Sequence, residues 1–339
     1  MKRLILPDLL KGLAVLFMIQ VHIMELFMDT AGRESLFGKL SMFLGGPFAA
    51  VVFMLVMGYF VAKNHKMPSQ NAVRGIKIFI LGFLLNIGLN FHLLLKIKFA
   101  AWPYNPLEYL FGVDILYLAG LSILVLSGLK FLAKGKGWAA LVLLLTIAGL
   151  TGFMNEKLMP AGTNYVLPFV AGAWRWSYFP LFPWLVYPLA GFAYAEFEGI
   201  IIPFFTRQKT MSVILTTVLA GLVLLFSRQG IDTTSHLPLY YHHTFGYFLW
   251  AIGLVLLWIL ALRFLMQQFP ETYAGNFFCR MGKSVTLIYV IQWLIIGNIS
   301  TAIFQTQGIG SFWYWFTGIF AASVLLTLLL EKVKFRLLK

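Results

Sequence analysis

Charge is what this sequence has least of. Only 11% of its 339 residues are charged, where an ordinary soluble domain carries roughly a quarter, and the mean hydropathy is +0.84. Water is therefore not the main solvent of this chain. It has a single cysteine, Cys279, which excludes a disulfide scaffold. Glycine-rich nucleotide loops and Cys/His metal-ligand spacings are also missing, so no metal is expected. There is no low-complexity segment, no polar stretch long enough for a soluble domain and no defensible repeat. Acidic residues are few, 12 against 26 basic, a net charge of +14. In a soluble protein that excess would suggest nucleic acid; in a membrane protein it is expected in the loops that face the cytoplasm.

What is present is long apolar runs. A transmembrane helix needs about 20 apolar residues, with a working range of about 17 to 25. The stretches 40–62, 78–95, 137–155, 176–195 and 210–227 hold no Asp, Glu, Lys or Arg, and each fits one crossing. Residues 284–330 are uncharged and broken by Gly308 and Gly310, which makes two crossings joined by a turn. One more lies in 233–262, and spans at about 5–28 and 113–133 contain or border charges. The N-terminal run resembles a signal peptide in charge and hydropathy, but Lys11 and His22 interrupt it, so it is read as the first span. The expected fold is thus an all-α, polytopic integral membrane helix bundle of about ten spans. An eleventh is open in 158–174, where Pro160, Gly162, Pro168 and Gly172 favour a re-entrant or interfacial segment.

Ten crossings put both termini on one side, and the basic residues then sort. Nineteen of the 26, from Lys2, Arg3 and Lys11 to Lys332, Lys334, Arg336 and Lys339, fall on the side of the termini, together with Cys279. Arg33, Lys39, Lys96, Lys98, Lys157, Arg175 and Arg228 fall opposite. Both termini are therefore expected in the cytoplasm, and the basic charge needs no nucleic acid.

Ionisable residues inside a span are costly and usually face a bundle interior or a water-filled cavity. The first span has a row of them. At about 100° per residue, Asp8, Lys11, His22, Glu25 and Asp29 fall within an arc of about 100°, one face of a helix. The stripe runs roughly 32 Å from Asp8 to Asp29, close to the thickness of the hydrocarbon layer. Asp8 and Lys11 can also be read as snorkelling at the inner interface, and Glu25 and Asp29 as outer-interface residues. His22 lies within the span, and Glu25, three residues on, is placed to hold one ring nitrogen and raise the basicity of the other.

The segment Asp8-Leu9-Leu10-Lys11-Gly12-Leu13-Ala14, with His22 eleven residues after Lys11, resembles the opening helix of the transmembrane acyltransferases. That group includes O-antigen and nodulation-factor acyltransferases, whose first span reads Asp-x-Leu-Arg-Gly-x-Ala and then a His. Further segments resemble the branch related to heparan-α-glucosaminide N-acetyltransferase. They are Gly45-Gly46-Pro47-Phe48 with Met57-Gly58-Tyr59, Asp114-Ile115-Leu116 with Leu118 and Gly120, Tyr178-Phe179-Pro180-Leu181-Phe182-Pro183-Trp184 leading to Gly191, and Gly282-Lys283-Ser284 with Leu287 and Tyr289. The likeness covers nearly the whole chain in the expected order, as one transmembrane acyltransferase domain over 1–339. Two positions depart: Lys11 replaces the usual Arg, which keeps the charge but not the bidentate fork, and Gln292 stands where relatives often carry a His.

The resemblance implies an enzyme that passes an acyl group, expected to be acetyl, from cytoplasmic acetyl-CoA to a hydroxyl or amine of a glycan or amino sugar on the outer side. His22 would be the base or a transient acyl carrier, with Glu25 its orienter. Lys11, Asp8, Arg74 and Lys77 would serve the CoA end. The acceptor would meet Asp114, Trp174, Arg175, Trp176, Tyr178, Trp184, His242 and His243 at a polar, aromatic outer mouth. Expected partners are the glycan acceptor and the lipid bilayer, with a homodimer allowed and no nucleic acid; the expected location is a bacterial inner membrane. Two other classes fit a polar-lined bundle: a transporter or flippase for a small or lipid-linked solute, and a non-catalytic membrane sensor that keeps the fold without the reaction.

Overall fold

The computed structural model describes residues 5–133, 136–157, 163–268 and 272–333, with 155–157 as backbone only. Lys2, Arg3, Lys134, Lys334, Arg336 and Lys339 of the charge count lie outside these residues, as do Pro160 and Gly162. Among the described residues the chain is helical, with only two isolated β-bridges, Met28 to Gln307 and Val113 to Ser177. That is the expected outcome where no water is available to satisfy backbone N–H and C=O groups.

The main helices are α1 (Ile5–Leu26), α2 (Leu36–Lys63), α3 (Pro68–Leu89), α4 (Phe91–Phe99), α5 (Ile115–Leu132), α6 (Gly137–Lys157), α7 (Val186–Arg207), α8 (Lys209–Leu225), α9 (Ser227–Ser235), α10 (Phe245–Gln268), α11 (Tyr273–Lys283), α12 (Val285–Ile303) and α13 (Phe312–Lys332). Nine segments among the described residues are long and apolar enough to cross a membrane, and α8 with α9, bent by 54°, makes a tenth if the pair is one span. Nine of the expected ten spans are thus single segments, and the seventh, at 210–227, falls on the bent pair. The third is displaced, because α3 begins at Pro68 and carries Arg74 and Lys77, while Phe91–Phe99 is a separate helix. A span can carry basic side chains in its terminal turns, so charge-free stretches do not mark its true ends. In the segment considered as an eleventh span, the described part holds only a 3-10 turn, Leu167–Phe169.

The chain divides into two compact units, one of Met1–Ala50, Leu85–Pro106 and Ala261–Lys339, the other of Val51–Leu84 and Leu107–Leu260. Each is built on helices that cross at glycine. In the first unit a Cβ on Gly12 would lie 1.9 Å from the carbonyl oxygen of Phe278, and one on Gly282 would lie 1.9 Å from that of Asp8. Helices α1 and α11 thus meet backbone to backbone, each supplying the glycine the other needs. In the second unit Gly58 meets Pro188 O and Gly191 meets Leu55 O, again at 1.9 Å, which joins α2 to α7. Gly75 and Gly120 face each other, a Cβ on either lying 2.9 or 2.8 Å from the other's carbonyl oxygen, and join α3 to α5. Small residues that let backbones approach are the usual device where lipid offers no hydrophobic drive for helix association.

Inside α2 the Gly46–Val51 stretch is a π-helical turn containing Pro47. A proline there lacks an N–H and crowds the preceding turn, and the wider π turn accommodates it. Lys130, in the last turn of α5, donates to the Val61 and Asn64 carbonyls at 3.1 and 2.8 Å. It thereby closes the C-terminus of α2 with a cation, the favourable sign at that end. Outward-facing apolar residues are abundant; on α8 only Val223 is buried, as a lipid-facing helix requires.

Two predictions follow from the packing and the charge pattern. Gly58→Ala or Gly191→Ala should destabilise the detergent-purified protein by about 1–3 kcal/mol or more, read as a lower Tm. Gly149→Ala, whose Cβ meets nothing within 4 Å, should be neutral or slightly stabilising; equal effects at these positions would refute the crossing argument. For orientation, Cys279 is only 8% exposed, so its labelling does not report sidedness. In a Cys279→Ser background, an impermeant thiol reagent on intact cells should label Ala100→Cys and spare Ser69→Cys, both positions being exposed. The reverse pattern would invert the cytoplasmic assignment of the termini.

Candidate functional site

Helix α1 carries the site of the first unit. Near its start, Asp8 is 4% exposed and pairs with Lys11 at 2.9 Å, one turn on. The pair sits at the glycine crossing, since Asp8 supplies the carbonyl against which Gly282 packs. His22 lies about 16 Å further along the helix by rise per residue, one turn before its end. Its Nδ1 is 3.2 Å from Gln292 Oε1 on α12. Its ring lies against that of Trp293, with centroids 4.1 Å apart and planes inclined by 34°. Among the described residues Nε2 of His22 has no hydrogen-bond partner. The indole Nε1 of Trp293 is likewise buried with no partner among the described residues.

The expectation that Glu25 holds the ring is corrected here: the group at Nδ1 is Gln292 of α12. Spacing along one helix could not reveal a partner from another. Glu25 is half-buried and its carbonyl accepts from Gln305 Nε2 at 3.1 Å. Asp29 also leaves the stripe. Helix α1 ends at Leu26, and Asp29 caps the short helix Thr30–Glu34, its Oδ1 accepting from Gly32 N at 2.7 Å. Beyond Leu26 the chain is lashed to the loop before α13, with Gln305 N donating to Leu26 O and Gln307 N to Phe27 O, both at 2.9 Å.

The second unit holds the other expected residues. Arg74 is half-buried on α3 and has no ion-pair or hydrogen-bond partner among the described residues; Lys77 is exposed. Asp114 is the N-cap of α5, its Oδ1 accepting from Ile115 N at 2.6 Å, which explains the acidic residue that opens that motif. Arg175 is exposed and pairs with Glu108. Trp174, Trp176 and Trp184 are 5%, 8% and 0% exposed, and Trp184 Nε1 donates to Tyr241 O at 2.8 Å. Enclosed rings have no face to offer a sugar, so these tryptophans pack the core of this unit. Tyr178 is 38% exposed, with Arg175 the open member of the expected set.

His243 is also enclosed. Nδ1 donates to Tyr240 O and Nε2 accepts from Tyr187 OH, both at 2.9 Å, so both nitrogens are committed and the ring is structural. Burial lowers its pKa to about 3, against the opposing backbone hydrogen bond of Tyr240, and neighbouring His242 lowers it further. Burial lowers His242 to about 4, against a backbone hydrogen bond with Ser177. Groups whose folded pKa is depressed below the unfolded value of about 6.5 contribute stability that is present above that value and lost as pH falls towards the folded one. The Tm should therefore drop between about pH 6.5 and pH 4, and His243→Gln should flatten that dependence. A Tm profile identical in the variant would show that His243 is not held neutral.

A multi-pass helical membrane protein with one histidine held at a ring nitrogen inside its first span is the class that fold and site define. The comparison with known families narrows it: residues 5–332 match the model of the acyltransferase domain, acyltransferase family 3. The chain belongs to that family, and it is an integral, multi-pass membrane acyltransferase. The match identifies the broad family and not the branch related to heparan-α-glucosaminide N-acetyltransferase. No curated protein and no solved structure matches the chain.

Proposed function

We propose that the protein transfers an acetyl group from cytoplasmic acetyl-CoA to a hydroxyl or amine of a glycan on the outer side of a bacterial inner membrane, with His22 as the base. The observation that carries this reading is His22 itself. It stands at the position of the family histidine, one ring nitrogen is held and the other has no partner among the described residues. In the step proposed, Nε2 takes the acceptor proton as the acceptor oxygen or nitrogen attacks the thioester carbonyl. The C–S bond then breaks, and the proton passes from Nε2 to the departing thiolate.

The donor end is assigned to the inner turns. Lys11, steadied by buried Asp8, is the contact on the phosphate or thioester side, and Arg74 and Lys77 are proposed contacts of the donor's phosphates. A half-buried guanidinium with no partner among the described residues is a candidate site for an anion. The rise of about 16 Å from Lys11 to His22 suits a donor that carries its acyl group on a long, thin arm, as the pantetheine of CoA does. On the acceptor side, Arg175, Tyr178 and half-buried Asp114 and His242 remain proposed contacts.

Purified protein given labelled acetyl-CoA and a defined amino-sugar acceptor tests the reading. His22→Ala should lose at least about a hundredfold in transfer while still binding CoA; normal transfer would remove His22 as the base. Lys11→Met should raise the KM for acetyl-CoA more than it lowers kcat, the mark of lost uniform binding. A change in kcat with KM untouched would move Lys11 out of the donor site.

A further inference from the structure

We infer that Gln292 is a positioning residue that fixes the tautomer of His22, placing the ring proton on Nδ1 and leaving Nε2 as the basic atom. The role given to Nε2 rests on the acyl-transfer reading above; the tautomer itself does not.

Gln292 is fully buried, and its two ends are chemically different, an acceptor oxygen and a donor NH2. Its Nε2 donates to Tyr289 O at 3.3 Å, and a backbone carbonyl can only accept. The flipped amide would set oxygen against oxygen there, so the hydrogen-bond network assigns Oε1 to the side of His22. An amide oxygen also only accepts, and at 3.2 Å from Nδ1 it requires that nitrogen to carry the hydrogen. A neutral imidazole has one such hydrogen, so Nε2 keeps its lone pair. This reverses the preference of a histidine side chain in water, where the proton favours Nε2. Rotation of the ring is opposed by Trp293, whose indole lies against it.

Glutamine suits this position better than a carboxylate. A carboxylate would fix the same tautomer, but burying a charge inside a membrane span costs far more than burying an amide. The neutral acceptor also cannot take the Nδ1 proton away when Nε2 is protonated during transfer. The imidazolium therefore keeps its acidic proton on Nε2, the atom facing the reaction, and returns it from there.

The test is nitrogen-15 NMR on the full-length protein in lipid, labelled at its histidines, at about pH 8, above the ordinary histidine range. Protonated and bare ring nitrogens have well-separated shifts, and the His22 signals are identified by their loss in His22→Asn. The expected result is a protonated Nδ1 and a bare Nε2. In Gln292→Met the proton should move largely to Nε2, and turnover of labelled acetyl-CoA should fall about tenfold or more, since a wrong tautomer disables a base without removing it. Gln292→Glu, which keeps an acceptor at the same reach, should retain the Nδ1–H form. A wild-type ring protonated at Nε2 would overturn the proposal, as would an unchanged tautomer in Gln292→Met. His22→Ala with normal transfer would instead sink the base reading and leave the tautomer assignment standing.

Discussion

Contact between bare backbones is the constraint on which the rest of this structure depends. Where both solvent and side chains are apolar, helices gain little by hiding from lipid, and association rests on how closely they can pack. The crossings of α1 with α11, α2 with α7 and α3 with α5 each use a glycine from both partners. Such a contact admits no side chain at either point, so it fixes the height at which the helices cross as well as their distance. This is why the glycines recur inside the segments that carry the family likeness. Lys11-Gly12, Met57-Gly58-Tyr59, Gly120, Gly191 and Gly282-Lys283 mark crossings first, whatever chemistry their neighbours perform.

The crossing of α1 with α11 has a direct consequence for the site. His22 lies ten residues after Gly12, and Gln292 lies ten residues after Gly282. Counted from one fixed point, α1 climbs about 15 Å to His22, while the chain leaves α11 at Ser284 and climbs α12 to Gln292. The two side chains arrive at the same level and meet at 3.2 Å. A shift of one residue in α1 at the glycine contact would turn its face by about 100° and carry His22 away from Gln292. Packing at one end of α1 thus sets the geometry of an imidazole near the other.

Most of the architecture was legible because the bilayer imposes so simple a rule: uninterrupted apolar length means a crossing. The rule failed where a span carries charge in its first half, as α3 does with Arg74 and Lys77, and where a helix stops early. The polar stripe of α1 was traced to Asp29 only because periodicity has no means of seeing that the helix ends at Leu26. His22 was legible from its depth and its family position, whereas its partner was not. Periodicity relates residues of one helix, and the contact with Gln292 joins residues 270 apart. The aromatic mouth was misjudged for a related reason. Tryptophan in a loop reads as interfacial, but whether Trp174, Trp176 and Trp184 face outward or inward is decided by the segments that fold over them.

Several polar side chains at the helix contacts have partners for both their donors and their acceptors. Gln20 gives its amide N–H groups to Phe17 O and Ser41 O and receives the Ser41 hydroxyl. Asn298 donates to Gly88 O and Leu294 O and accepts from His92 N, tying α12 to the break between α3 and α4. His243 commits both nitrogens. These groups are saturated, mostly by main chain, and act as staples that cost the membrane nothing in unsatisfied polarity. In His22 one nitrogen is held by a side chain that is itself oriented, while the other has no hydrogen-bond partner among the described residues. On the proposed reading that difference has a use: a ring held at Nδ1 can present Nε2 to the acceptor proton, which a ring with both nitrogens committed, such as that of His243, could not do.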